Sequence, residues 1–248
     1  MDCFKNASYA GGFKADTIKS NNVLWGEKIW RKISLEDKEN FSVFNTGNQC
    51  AEVSLFEIIK FGMLVKKLSV FSSDNFGERM NIPLDTVQFI KRITCKDTVT
   101  GSVFYSEGNE TKEVVISNRY LYGSDVKSYL LKENWIYNSY SGKMEKRIIG
   151  LAPLVYDKKT KSIVPLFWIY YNEWKELFAS FEARNFRSAD KISFNDVFTG
   201  HYFHSSVFKE SNMFDRNLNS TVKGKDFFNE NEVINKKIND LEEDLFPK

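Results

Sequence analysis

The stretch Ile148 to Tyr171, IIGLAPLVYDKKTKSIVPLFWIYY, sets two apolar runs on either side of a short charged turn. Apolar runs of this length, bounded by turn residues, read as strands. The segment YDKKTKS therefore joins the two halves of a β-hairpin spanning Lys143 to Tyr171. Side chains alternate along a strand, so Leu166, Trp168 and Tyr170 point one way and Phe167, Ile169 and Tyr171 the other. Both faces are apolar. Such a strand is covered by helices on both sides, or by helices on one and a partner protein on the other. Pro153 and Pro165 have no amide N–H to give to a ladder, so each is predicted at a bulge or a locally unpaired site.

Working outward from the hairpin, SLFEIIKFGMLV carries Leu55, Ile58, Ile59 and Met63 at helical spacing behind Ser54, a capping residue. KLSVFS then reads as a short strand. PLDTVQFIKRI repeats the helical signature, with Pro83 near its first turn and Leu84, Val87, Phe89 and Ile90 toward the core. VLWGEKIWRKISLEDKEN fits neither period cleanly and reads as a strand or short helix followed by a polar turn. Residues 94 to 123 are turn-rich, with one β-like run at EVVIS. SDVKSYLLKENWIYN starts as a capped turn at Ser124 and ends as a strand through Trp135 and Tyr137.

Beyond the hairpin, NEWKELFASFEARN is predicted to open a helix capped by Asn172, and SFNDVFTG a short one capped by Ser193 and closed near Gly200. In the last segment Phe227, Ile234, Ile238, Leu241 and Leu245 form one apolar stripe, which predicts an amphipathic docking helix. The expected organisation is a polar N-terminal arm over 1–22, a globular domain over 23–222 and a C-terminal helix over 223–248 packed on it. The fold class is α+β: a single domain with a mainly antiparallel sheet packed by helices.

The whole chain has 248 residues, which suits one large domain or one domain with appendages. Its net charge is +2, without any block of like charges, so the electrostatic footprint of a nucleic-acid-binding protein is missing. No apolar run approaches the roughly 18 residues of a transmembrane helix, and MDCFKNASYAGGF lacks the apolar segment of a signal peptide. Aromatic residues reach 15%, with 22 Phe and 11 Tyr, an excess of the kind often found at interfaces. Cys3, Cys50 and Cys95 include no C-x-x-C pair; a Cys50–Cys95 bridge and buried thiols both stay open.

Signatures of catalysis are sparse. The two histidines, His201 and His204 in HYFH, could share a helical face, but zinc needs three or four ligands and no nearby Cys or His supplies them. The reading they support is partly exposed histidines beside aromatic packing. Neither a G-x-S-x-G elbow nor a glycine-rich phosphate loop occurs. The carboxylates Glu36, Asp37 and Glu39, and Glu242, Glu243 and Asp244, stand in solvated runs. FKESNMFDR, with Lys209, Glu210, Asp215 and Arg216, reads as a loop anchored by its Phe residues. A periplasmic hydrolase built on carboxylates remote in sequence is one alternative that this leaves open. A monomeric regulatory binding module is another.

Seven segments taken together resemble one family: LWGEKIWRKISLEDKEN, SLFEIIKFG, DVKSYLLKENWIYNSYSGKMEKRIIGLAPL, PLFWIYYNEWKELFASFEARN, ISFNDVF, VFKESNMFDR and INKKINDLEEDLF. In this order, from Leu24 to Phe246, the chain is similar to the GldN/PorN gliding motility proteins of Bacteroidota. The resemblance implies a noncatalytic structural subunit of the type IX secretion system, in the periplasm at the inner face of the outer membrane. Its implied partners are a GldK/PorK-like lipoprotein, with which it would form a ring containing copies of itself, and a GldM/PorM-like shaft protein. It implies no catalytic residue, cofactor or metal, and assigns no partner-binding residue. Two departures stand out: the chain shows no signal peptide, and the segment before its LW motif is shorter than is usual in the family.

Overall fold

The computed structural model describes residues 4, 23–45, 53–72, 80–104, 110–184 and 191–210. The C-terminal helix expected over 223–248 lies outside these residues, as do Cys3, Cys50 and, except for Phe4, the N-terminal arm. Phe4 is not a solvated arm residue: its ring stacks on Phe61 at 4.4 Å and meets the edge of Phe181 at 5.5 Å.

The strands in chain order are β1 (Val23–Ser34), β2 (Thr94–Phe104), β3 (Glu110–Tyr120), β4 (Val126–Asn138), β5 (Lys143–Asp157), β6 (Ser162–Pro165), β7 (Ile169–Tyr170), β8 (Glu182–Ala183), β9 (Ile192–Ser193) and β10 (Ser206–Glu210). The helices are α1 (Lys38–Phe44), α2 (Leu55–Leu64), α3 (Thr86–Arg92), α4 (Tyr171–Ala179) and α5 (Phe194–Thr199). The main sheet runs β10-β1-β4-β5-β6, with β7 also on β5, and each pairing is antiparallel. The fold is α+β and a single domain, as the periodicities imply. Its centre is the long β4–β5 hairpin, whose turn uses Gly142 at φ 62, a left-handed conformation that suits a residue without a Cβ.

One face of this sheet carries Ile33, Tyr129, Leu131, Leu151 and Val155 into a single core with the apolar sides of α1, α2, α4 and α5. On the opposite face Trp30, Leu130, Ala152, Leu154 and Trp168 form a second, smaller cluster, joined by Phe71 and Met80. The hairpin over 143–171 is thus buried on both sides at residues 150–155 and 166–169, whereas Tyr156 and Ile163 are exposed. Its second half is not one strand, however. β6 ends at Pro165, the chain breaks from the ladder, and Tyr171 already belongs to α4. The alternation holds for Phe167 and Ile169 against Trp168, whereas Leu166 joins the Phe167 side. Pro153 sits between the β7 and β6 pairings of β5, where a missing N–H breaks no ladder bond, and its carbonyl accepts from Leu166 N–H at 3.0 Å.

Several local expectations need correction. SLEDKEN is more than a polar turn: Asp37 caps α1 by accepting from Glu39 and Asn40 N–H, and the helix buries Val43 and Phe44. KLSVFS forms no named strand; Phe71 makes single bridges to Pro83 and Trp168. In α3 the cap is Asp85, Phe89 alone is fully buried, and Val87 is 75% exposed instead of facing the core. Thr94–Phe104 and Glu110–Tyr120 form an eleven-pair antiparallel ribbon, β2–β3, where only the EVVIS run had a strand signal. Asn172 does not cap α4, which begins one residue earlier behind Tyr170 and without a side-chain cap. Ser193 does cap α5, as expected, in a reciprocal arrangement with Asp196.

Much of the aromatic content fills the core. The largest fully buried side chains are all aromatic, among them Trp30, Trp135, Trp168, Trp174 and Phe44. Around Phe44, the rings of Tyr129, Phe194, Phe198 and Phe203 lie with centroids between 5.7 and 6.4 Å away. Such offset and tilted contacts add stability beyond area burial, about 0.5–1.5 kcal/mol per pair.

Candidate functional site

At one end of the β1–β4 pair lies an open cleft of about 510 Å³, lined by Arg31, Trp135, Lys146, His201, Phe203, His204 and Ser205. Strand periodicity builds its floor. In β4 the inward row reads Tyr129, Leu131, Glu133, Trp135, so a carboxylate falls at an otherwise apolar position. The registers bring Ile29 opposite Glu133 and Arg31 opposite Leu131. Both flanking ladders shift beside this point, between Trp30 and Arg31 toward β10 and between Lys132 and Glu133 toward β5. Bulges of this kind re-aim side chains at the rim of a sheet.

Glu133 has no solvent exposure, and its carboxylate has three partners. Oε2 accepts from Arg31 Nε at 3.2 Å and from Trp135 Nε1 at 2.8 Å, while Oε1 faces His201 Nε2 at 2.6 Å. Burial opposes the negative charge, but the His201 bond, the Arg31 charge and the Trp135 bond outweigh it and hold the carboxyl below its ordinary value. Arg31 also donates from Nη1 to Ser205 Oγ at 3.4 Å. Arg31 and Lys146 lie over the Trp135 ring at 5.4 and 4.1 Å. A carboxyl acting as general acid must be kept protonated near neutral pH. Glu133 is shifted the other way, so the arrangement suits a permanent charge cluster.

Both histidines belong to this cluster. Their partial exposure and the 5.6 Å contact of His201 with Phe203 match the reading of histidines beside aromatic packing. Their carboxylate partners were not foreseen. His204 Nδ1 faces Asp37 Oδ2 at 3.0 Å and Nε2 faces Glu39 Oε2 at 3.3 Å. The His204 bond, with the amide of Asn40, holds the Asp37 carboxyl below its ordinary value. Among the described residues no three His, Cys, Asp or Glu side chains are grouped as a metal centre would require. Cys95 is a half-buried free thiol at the start of β2.

The reading of FKESNMFDR as a loop anchored by its Phe residues does not hold for its first three residues, 208–210; residues 211–216 lie outside the described residues. Ser206–Glu210 is the edge strand β10, and Lys209 is only 5% exposed. It stands opposite Trp30, as Lys132 does from β4, and each ammonium lies 5.1 Å from the Trp30 ring centroid. Two lysine stems thus lie buried over one indole.

A second candidate surface is the far end of the sheet. In the β5–β6 hairpin Tyr156 and Ile163 are directly opposite, 50% and 41% exposed. The turn beyond them contains Lys158, Lys159 and Lys161. Tyr140, at the tip of the β4–β5 turn, is 88% exposed. Exposed aromatic residues are enriched at protein interfaces, whereas lysines belong to the rim more than to the centre.

The family model described as "Gliding motility associated protein GldN" matches residues 18–247, nearly the whole chain. No curated protein matches it.

Proposed function

The chain belongs to the GldN family of gliding motility associated proteins, and on that premise we propose that it is a noncatalytic structural subunit of a periplasmic ring. Family membership makes it a component of the gliding motility and type IX secretion machinery, and the family is not known as one of enzymes. In the proposed ring it assembles with a GldK/PorK-like lipoprotein and further copies of itself beneath the outer membrane, and contacts a GldM/PorM-like shaft. The observation that carries the reading is the family match across both the helical layer and the sheet. Among the described residues no helix is long and apolar enough to cross a membrane.

In this reading the cross-strand pair of Tyr156 on β5 and Ile163 on edge strand β6 contributes to a subunit contact, since an exposed sheet edge is open to being covered and exposed aromatic residues are enriched at interfaces. The charge cluster around Glu133 instead rigidifies the opposite part of the sheet. The test is capture of the lipoprotein's soluble domain by the wild-type chain and by the Tyr156→Ser, Ile163→Ser double variant. Capture by the wild type and loss in a folded variant support the contact. Equal capture by both removes the hairpin from the interface, and no capture by either counts against the ring reading.

A further inference from the structure

We propose that His201 and His204 form a proton-dependent latch, fastening the segment between α5 and β10 to the sheet and to α1. The inference rests on the geometry of that segment and is independent of the ring reading.

Residues Val197 to Tyr202 end α5 in a Schellman motif: His201 N–H donates to Phe198 O at 3.2 Å and Tyr202 N–H to Val197 O at 2.9 Å. The residue after the C-cap in such a motif adopts a left-handed conformation and is usually glycine. Here it is His201, at φ 51, although a glycine is available one position earlier at Gly200. A residue with a Cβ is uncommon in this conformation, and here it is accompanied by a side-chain contact. That contact is the 2.6 Å bond between His201 Nε2 and the fully buried Glu133 of β4, to which Arg31 of β1 also donates. Lys146 of β5 lines the same cleft and, with Arg31, opposes a positive imidazole, while Glu133 favours one.

Three residues on, both ring nitrogens of His204 face carboxylates, Asp37 and Glu39 at the start of α1. A neutral imidazole has one N–H donor and one acceptor, so only the imidazolium satisfies both carboxylates. The His204 backbone is held separately and without titration. Buried Asn40 donates to its carbonyl at 2.8 Å and accepts from its N–H at 2.9 Å. A neutral His201 can still donate from Nε2 to Glu133, so loss of the imidazolium proton weakens the His201 end without removing the bond, while Asn40 keeps the segment near α1. The imidazolium forms of the two histidines strengthen the latch and their neutral forms weaken it. At the acid end protonation of Glu133 or Asp37 opens it again.

Amide hydrogen exchange on the whole chain reads this directly, because the His201, Tyr202 and His204 amides are all bonded. Replacing a charge-assisted bond by a neutral one is expected to lower protection of His201 and Tyr202 about tenfold, after correction for intrinsic rates, between about pH 5.5 and 8.5. His204, held by Asn40, should change less. In His201→Gln, whose amide donates without titrating, that dependence should disappear. An unchanged wild-type protection, or the same dependence in both His201→Gln and His204→Gln, overturns the proposal. If neither variant folds, imidazole signals of the wild type decide, since the chain has only 2 His. Amide shifts of residues 200–206 should move with the imidazole midpoints; movement with any other midpoint, or none, contradicts the latch.

Discussion

Glu133 shows how one residue sets the character of its surroundings. It is fully buried, and its charge is balanced by Arg31 and bonded by Trp135 and His201. Removing one partner of a buried pair leaves the other uncompensated, which costs about 3–5 kcal/mol. Glu133→Ala is therefore expected to lose stability on that scale in denaturant unfolding, whereas Glu133→Gln, which keeps an acceptor for Trp135, should lose less. The folded carboxyl binds its proton more weakly than the unfolded one, so the unfolded chain takes up more protons in that interval. The contribution is complete above the ordinary value of 4.5 and is lost as pH falls through the depressed folded value. Acid unfolding of Glu133→Gln should lack this component; an unchanged acid limb would show that Glu133 is not ionised in the fold. The sequence held a signal for this site in the inward row Tyr129, Leu131, Glu133, Trp135. Its partners Arg31 and His201 are 102 and 68 residues away, and only the strand register brings them together.

At the level of elements, the helices that were legible carry both a cap and an apolar stripe. Ser54 and Ser193 announce α2 and α5, and the residues that the spacing of α2 selects are buried, together with Phe56 and Gly62. α1 was hidden because its entry, SLEDKEN, is polar, and its stability comes from the Asp37 cap and the distant contacts of Phe44. The break after Pro165 was hidden for a related reason: an apolar run does not reveal where a strand ends and a buried helix begins. Where α2 crosses α4, Gly62 is required. A methyl there would overlap the Trp174 ring and lie 2.8 Å from Leu177 Cδ2. Alanine would gain about 0.5–1 kcal/mol in helix preference, but overpacking costs about 1–3 kcal/mol. Gly62→Ala is therefore expected to lower the midpoint of thermal unfolding. A raised midpoint would mean that the helices can separate without loss.

For the molecule as a whole, the antiparallel sheet and its helical cover were readable from periodicity, whereas the use of its surfaces was not. Aromatic content suggested interfaces; the largest rings fill the core, and the exposed pair of interest, Tyr156 with the aliphatic Ile163, consists of ordinary residues of a hairpin until their cross-strand pairing is known. Surface substitutions of this kind change stability by less than about 0.5 kcal/mol. The Tyr156→Ser, Ile163→Ser variant should accordingly unfold with the wild type while losing its partner; a large loss of stability would assign the pair to folding instead. The central claim, that this chain is a ring subunit, is tested most directly by co-purifying it with the soluble domain of the GldK/PorK-like lipoprotein from the same genome and measuring the mass of the product. The account expects a stable complex containing several copies of both chains. Two separate monomers under conditions where both are folded would contradict it.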